Sequence, residues 1–182
     1  LPKLPLLLLN GSRGVGNGYS SLILSYEVGD VKKAVQEVLK HGIVKNKLTP
    51  FVKGYEGSIS KNHDTQQITF EGNIDIINST TLVINELTPS LDLPKFKDIL
   101  NGLMEKQGKN EDQPPLIKDY ENESTEHEWK FIVDCPRSTI ALGKDKLLDI
   151  FGLIERETEN IVAWKPNGKL GVYSTIESLL ED

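Results

Sequence analysis

The feature that constrains this chain most is a stretch near its start, Leu6-Leu7-Leu8-Leu9-Asn10-Gly11-Ser12-Arg13-Gly14-Val15-Gly16-Asn17-Gly18-Tyr19-Ser20. An apolar run gives way abruptly to a segment punctuated by Gly11, Gly14, Gly16 and Gly18. Glycine adopts positive φ and carries no Cβ, so such a segment reads as a loop able to bring backbone N–H groups close to something bulky and negative. Asn10, Ser12, Asn17 and Ser20 supply polar tips, Arg13 supplies a guanidinium, and the β-branched Val15 projects from the middle. Three readings compete. The first is a strand end followed by a tight corner. The second is a nucleotide-phosphate cradle, but the third glycine of a G-x-G-x-x-G pattern falls one position early and the next helix begins only near Asp30. The third is a DNA-contacting loop, with N–H groups and Arg13 on phosphates and Val15 as an apolar wedge between bases.

A net charge of −6 argues against nucleic acid until its distribution is considered. Residues 1–61 hold 9 Lys and Arg against 4 Asp and Glu, a net +5, and the remainder holds 12 against 23, a net −11. A basic first third and an acidic remainder suggest one face toward nucleic acid and another away from it. The single Cys135 excludes a disulfide framework and fits a reducing compartment. His41, His63 and His127 are scattered among polar residues, so no metal site is expected. No apolar stretch is long enough to span a bilayer. The Leu4 to Leu9 run is split by Pro5 and lacks a cleavage site, so it does not read as a signal peptide. The missing initiator Met suggests a fragment or processed piece. At 182 residues there is room for one domain with a proper core, or one domain and part of another.

Leu22-Ile23-Leu24 reads as a short extended or buried piece. Asp30 then reads as the N-cap of a helix with Val31, Ala34, Val35, Val38 and Leu39 on one face and Gly42 as its stop. Gly54 suggests a bulge at a strand entry, and Asn62-His63-Asp64 a turn. Ile68, Phe70, Ile74 and Ile76 alternate with Gly72 as a bulge between them. Residues 81–86 return with Leu82 and Ile84 inward, and Glu86 reads as a structural hydrogen-bonding residue at the strand end. A second helix begins at Asp92 with the stripe Leu93, Phe96, Ile99, Leu100, Leu103 and Met104. Residues 107–115 read as a polar loop, 119–128 as acidic surface, Trp129, Phe131 and Val133 as a strand, and 144–151 as a third helix. Pro166-Asn167-Gly168-Lys169 marks a hairpin, and a last helix begins at Thr175. This order argues an α+β fold with a mixed, mostly antiparallel sheet and packed helices.

The line from Pro5 to Ser20 resembles the loop of type IIA DNA topoisomerases, written P-x-(L/V)-L-x-N-G-x-x-G-(I/V)-x-x-G. Pro50-Phe51-Val52-Lys53-Gly54-Tyr55-Glu56-Gly57-Ser58-Ile59 resembles the family's P-(W/F)-x-(R/K)-G-(W/F/Y)-x-G-x-I segment. Val83 to Pro89 resembles its I-x-E-(L/I)-P segment, departing by Thr88 before the proline. Phe151 to Leu180 resembles its F-x-L-(x6)-N-(M/I) segment, G-K hairpin and helix entering a coiled coil. Within the family the details look closest to the medium subunit of T4-like phage topoisomerases.

The resemblance implies part of the DNA-gate subunit of an ATP-dependent, double-strand-passing topoisomerase. Val15 takes the place of the family's intercalating residue, where isoleucine is more usual. Asn10, Ser12, Arg13, Gly14, Val15, Asn17 and Lys53 become the implied DNA-binding residues, while 1–47 would adjoin the gate, 48–160 form a tower-like α+β domain, and 161–182 a hairpin and the start of a coiled-coil arm. The family cleaves DNA with a tyrosine that follows an arginine; Tyr19, Tyr26, Tyr55, Tyr120 and Tyr173 do not. No catalytic residue is therefore expected in this stretch, which alone should be inactive. Mg²⁺ and ATP belong to the whole assembly, with neither bound here. Implied partners are double-stranded DNA, an ATPase and metal-binding subunit or domain, and a second copy through regions outside this stretch, with no membrane and a cytoplasmic, nucleoid-associated location (the host cytoplasm for a phage protein). A non-enzymatic protein-interaction module with an acidic face is the rival reading, and a nucleotide-binding enzyme a third.

Overall fold

Four consecutive leucines after a proline fold as a helix. In the computed structural model, which describes residues 3–15, 20–105, 114–165 and 167–182, the chain opens with α1 (Leu6–Asn10), whose Leu8 is fully buried. A strand end was the alternative for this run, and a short apolar segment has no periodicity to separate the two. β1 (Ser12–Val15) and β2 (Ser20–Ile23) follow, then α2 (Val28–His41), β3 (Ser58–Asn62), β4 (Gln67–Glu71), β5 (Asn73–Ile76) and β6 (Thr81–Glu86). Next come α3 (Leu93–Met104), β7 (Asp119–Asn122), β8 (Phe131–Asp134), α4 (Arg137–Ile140), α5 (Lys144–Ile150), β9 (Ile154–Thr158), β10 (Ile161–Trp164), β11 (Leu170–Tyr173) and α6 (Ile176–Glu181). The described strands form the sheets β1-β2, β10-β11, β3-β4-β9 and β5-β6-β8-β7. The architecture is α+β with antiparallel pairing, as expected. The polar loop expected at 107–115 lies outside the described residues except for its last two positions.

Two compact units emerge. The first comprises Leu1–Gly54, Ile59–Ile68 and Arg156–Asp182. Leu8, Ile23, Tyr26, Val31, Ala34, Leu48, Ile161 and Ile176 form its core. Helix α2 starts three residues earlier than an N-cap at Asp30 suggests. Its cap is the Glu27 carboxylate, which accepts from the Asp30 N–H at 3.0 Å, and it stops at Gly42 in the left-handed region (φ 75°). Leu39 falls at an apolar position of the helical repeat yet is 81% exposed, so the apolar stripe ends a turn before the helix does. Helix α6 carries a capping box between Thr175 and Ser178. Its Glu177 and Glu181 accept from the N–H groups of Leu48 and Val44, tying the loop after α2 to it.

The second unit comprises Tyr55–Ser58 and Thr69–Glu155. Leu82 pairs with Val133 and Ile84 with Phe131, so one face of the β5-β6-β8-β7 sheet is apolar, and Phe96 and Leu100 of α3 with Leu147 and Leu148 of α5 join them in the core. Phe96 meets Phe131 edge-on at 4.9 Å. Asp92 caps α3 as expected. Glu86 is structural, accepting from the N–H groups of Glu56 and Leu87 at 3.0 Å each. Cys135 lies in this core, and burial pushes its thiol up to about 11. Strand β7, drawn from residues that read as acidic surface, is an edge strand, and its charge is what keeps such an edge from pairing further.

Gly72 is a break between strands of different sheets, not a bulge within one. A Cβ there would sit 2.5 Å from the Glu86 carbonyl oxygen, backbone that cannot yield. Gly72→Ala should cost about 1–3 kcal/mol by overpacking. On the exposed side of α3, a Cβ on Gly102 would meet nothing within 4 Å, and Gly102→Ala should stabilise by roughly 0.5–1 kcal/mol. Urea unfolding of both variants, with opposite shifts in midpoint, checks the pair.

Candidate nucleic-acid interface

The glycine-rich segment is a ribbon. β1 and β2 pair antiparallel with Ser12 opposite Ile23, Arg13 opposite Leu22, Gly14 opposite Ser21 and Val15 opposite Ser20. Gly11 allows it: φ is 68°, and a Cβ would lie 2.9 Å from the Ile23 carbonyl oxygen. Gly14 differs. Its φ needs no glycine, and a Cβ would meet nothing within 4 Å, so neither backbone nor packing accounts for it. Val15 is 91% exposed, a β-branched apolar side chain standing almost wholly in solvent.

Beneath the ribbon lies a buried charge cluster. Glu159 and Lys61 side chains are wholly buried and meet at 3.1 Å. The Tyr26 hydroxyl donates to the same carboxylate oxygen, Oε2, at 2.6 Å, and Lys61 Nζ also donates to Tyr26 Oη at 3.3 Å. The other oxygen, Oε1, accepts from the Leu24 N–H at 2.9 Å, just past the end of β2. Beside it, Asn160 and Leu22 exchange backbone hydrogen bonds at 2.9 Å, and the Asn160 side-chain amide donates to the Ser20 carbonyl and hydroxyl. Burial first, and then the Glu159 charge, raise the Tyr26 phenol far above its ordinary 10.0.

The described contact residues fall in three places. Asn10, Ser12 and Arg13 line a shallow groove of about 290 Å³ with residues of β2 and the segment after it. Ser12, Gly14 and Val15 line a second cleft of about 440 Å³, whose far wall is Val162, Trp164 and Leu170. Arg13 reaches Glu157 at 2.8 Å, with its side chain 71% exposed. A surface pair of this kind contributes about 0–1 kcal/mol, little enough to exchange for a phosphate. Lys53 stands apart on an exposed turn with Gly54 (φ 79°), where a bulge was expected. That turn follows Phe51, which hydrogen-bonds Ser25 from both its N–H and its carbonyl. Asn17 lies outside the described residues, as do Gly16, Gly18 and Tyr19.

No described residue resembles an activated nucleophile. Tyr26 and Tyr55 are raised chiefly by burial, and Tyr173 by its hydrogen bond to Asp182. Among the described residues no three His, Cys, Asp or Glu groups cluster closely enough to hold a metal ion, and no helix is long and apolar enough to cross a membrane. Glu159, Asn160 and Trp164, which brace or flank the ribbon, carry little mark of it in the sequence. Asn160 stands in the N-(M/I) motif, the one signal available; Glu159 has its partners 98 to 135 residues away.

Glu159→Gln removes the charge that Lys61 needs and should cost about 3–5 kcal/mol, with Lys61→Met in the same chain recovering most of it. Tyr26 adds a pH signature. Its folded pKa lies above its unfolded value, so its contribution is complete below pH 10.0 and is lost as pH rises beyond that. Tyr26→Phe should flatten the alkaline limb of a stability–pH curve measured by urea unfolding.

The chain is similar to known proteins. The family model for the A-type subunit of DNA gyrase/topoisomerase IV matches residues 1–182. DNA topoisomerase 2-alpha of Rattus norvegicus is 30% identical over 189 residues, covering 100% of this chain and 12% of the relative. DNA topoisomerase 2 of Plasmodium falciparum is 30% identical over 185 residues, covering 100% of this chain and 13% of the relative. The chain thus spans about an eighth of the length of such curated relatives. The solved DNA-binding, cleavage and re-ligation domain of Plasmodium falciparum topoisomerase II superposes with a TM-score of 0.84 at 27% identity, over 98% of this chain and 24% of that one.

Proposed function

The chain belongs to the family of DNA gyrase/topoisomerase IV A-type subunits, and from that premise we propose that it forms part of the DNA gate of a type II topoisomerase, binding and bending the segment to be cleaved. The observation that carries this reading is Val15, 91% exposed on a ribbon braced from below by Glu159 and Asn160. An apolar side chain presented to solvent at the end of a paired strand is suited to enter a base step from the minor groove. That insertion costs a few kcal/mol of unstacking, which the contacts of a bent duplex repay. Arg13, Lys53, Asn10, Ser12, Asn17 and the N–H groups around Gly14 are the proposed phosphate contacts, sequence-independent and salt-sensitive. Charge agrees with placing these contacts in the first unit. The first unit holds 12 Lys and Arg against 9 Asp and Glu, a net +3, and the second 9 against 18, a net −9.

In this reading residues 1–47 adjoin the gate, 48–160 form the tower-like domain, and 161–182 carry the hairpin and the start of an arm. Strand cleavage, Mg²⁺ and ATP turnover belong to other parts of the assembly. Its partners are an ATPase and metal-binding subunit or domain, and a second gate subunit. The described residues offer no ligand set for Mg²⁺.

The test is binding and end-to-end energy transfer on a duplex of about 30 base pairs, long enough to report a bend. Val15→Ala should abolish the bend while weakening binding no more than about tenfold, the ~1.6 kcal/mol that two buried methylenes supply. Arg13→Ala should lower the slope of log affinity against log salt by about one. Equal loss of bending and binding in Val15→Ala would remove the wedge; no duplex binding at low salt would remove the reading.

A further inference from the structure

The β10–β11 ribbon is apolar on both faces. Ile161 opposes Tyr173, Val162 Val172, Ala163 Gly171 and Trp164 Leu170, and opposed residues of an antiparallel pair share a face. The face with Ile161, Gly171 and Tyr173 packs on the first unit's core. The other presents Val162, Trp164, Leu170 and Val172, with Trp164 75% and Val172 67% exposed. A sheet with one solvated face alternates apolar-in and polar-out, so a ribbon apolar on both sides is built to be covered.

We propose that this outer face is the second half of the duplex-binding surface, with Trp164 as its anchor in the minor groove beside the base step that Val15 opens. The inference rests on the DNA-gate reading and adds a residue and a surface to it. Three observations select duplex DNA as the occupant. Trp164, Val162 and Leu170 face Val15 and Gly14 across one cleft of about 440 Å³, so whatever receives Val15 reaches Trp164. None of the described residues lining that cleft is acidic, their polar side-chain groups are the hydroxyls of Ser12, Ser20 and Ser21, and Lys169 stands exposed at the turn of the Trp164 ribbon. The backbone at Gly14 opens toward the same space with no Cβ to obstruct a close approach. The minor groove is walled by apolar sugar edges and floored by hydrogen-bond acceptors, and an indole offers a large apolar body with one N–H donor.

The full chain holds two tryptophans, and in Trp129→Phe the emission reports Trp164 alone. Titration with the labelled duplex should quench that emission in parallel with the rise in DNA anisotropy, and added salt should reverse both. Trp164→Ala should weaken duplex binding about tenfold, Trp164→Phe should restore most of it, and neither should move the thermal midpoint, since the side chain is exposed. Anisotropy that reports binding while Trp164 emission and Trp164→Ala affinity stay unchanged would overturn this inference and leave the DNA-gate reading standing. Quenching that follows protein concentration without DNA would assign the face to a second copy and overturn it too. Absence of duplex binding by anisotropy would overturn both.

Discussion

One buried carboxylate holds the functional end of this chain together. Glu159 takes hydrogen bonds from Tyr26, Lys61 and the Leu24 N–H, and so joins the end of β2, strand β3 and the entry to β10 at a single point. Burying a charge costs several kcal/mol unless it is paired and fully hydrogen-bonded. Here both oxygens are engaged, which makes the junction tolerable and geometrically demanding at once. A hydrophobic contact would tolerate sliding between β2 and the 159–160 segment. This arrangement does not, and the proposed entry of Val15 into a base step would benefit from that constraint.

The rigidity below contrasts with what the ribbons leave open above. Gly14 faces space no described part of the chain fills, Val15 stands in water, and Trp164 stands across from it. Together they form the open surface on which the DNA-gate proposal rests. The Arg13–Glu157 pair fits the same logic, because a weak exposed ion pair keeps a guanidinium in place without committing it.

Much of this was legible in the residues alone, for local reasons. The Gly42 stop, the Asp92 cap, the Leu82 and Ile84 alternation and the Asn167-Gly168 turn depend on neighbours within a few residues, and each is where the local rules put it. The loop motif is likewise what singles out Val15 and Arg13 as proposed contacts. Failures came where partners are distant or where polarity hides structure. Strands β7 and β9 are rich in charge and are strands because others pair with them. Leu6–Asn10 is a helix because Leu8 fills the first unit's core, which no short apolar run announces. Glu159 is one acidic residue among several until Lys61, 98 positions away, is beside it.

Whether Val15 enters a base step is read from the stacking state of that step. A duplex of about 30 base pairs carrying 2-aminopurine at successive positions reports unstacking by its emission. Binding of the chain should brighten the probe at one central step and nowhere else, with Val15→Ala restoring the dark, stacked state. Tight, salt-sensitive binding with no step brightened would mean that the ribbon rests on the backbone alone, and would contradict the wedge.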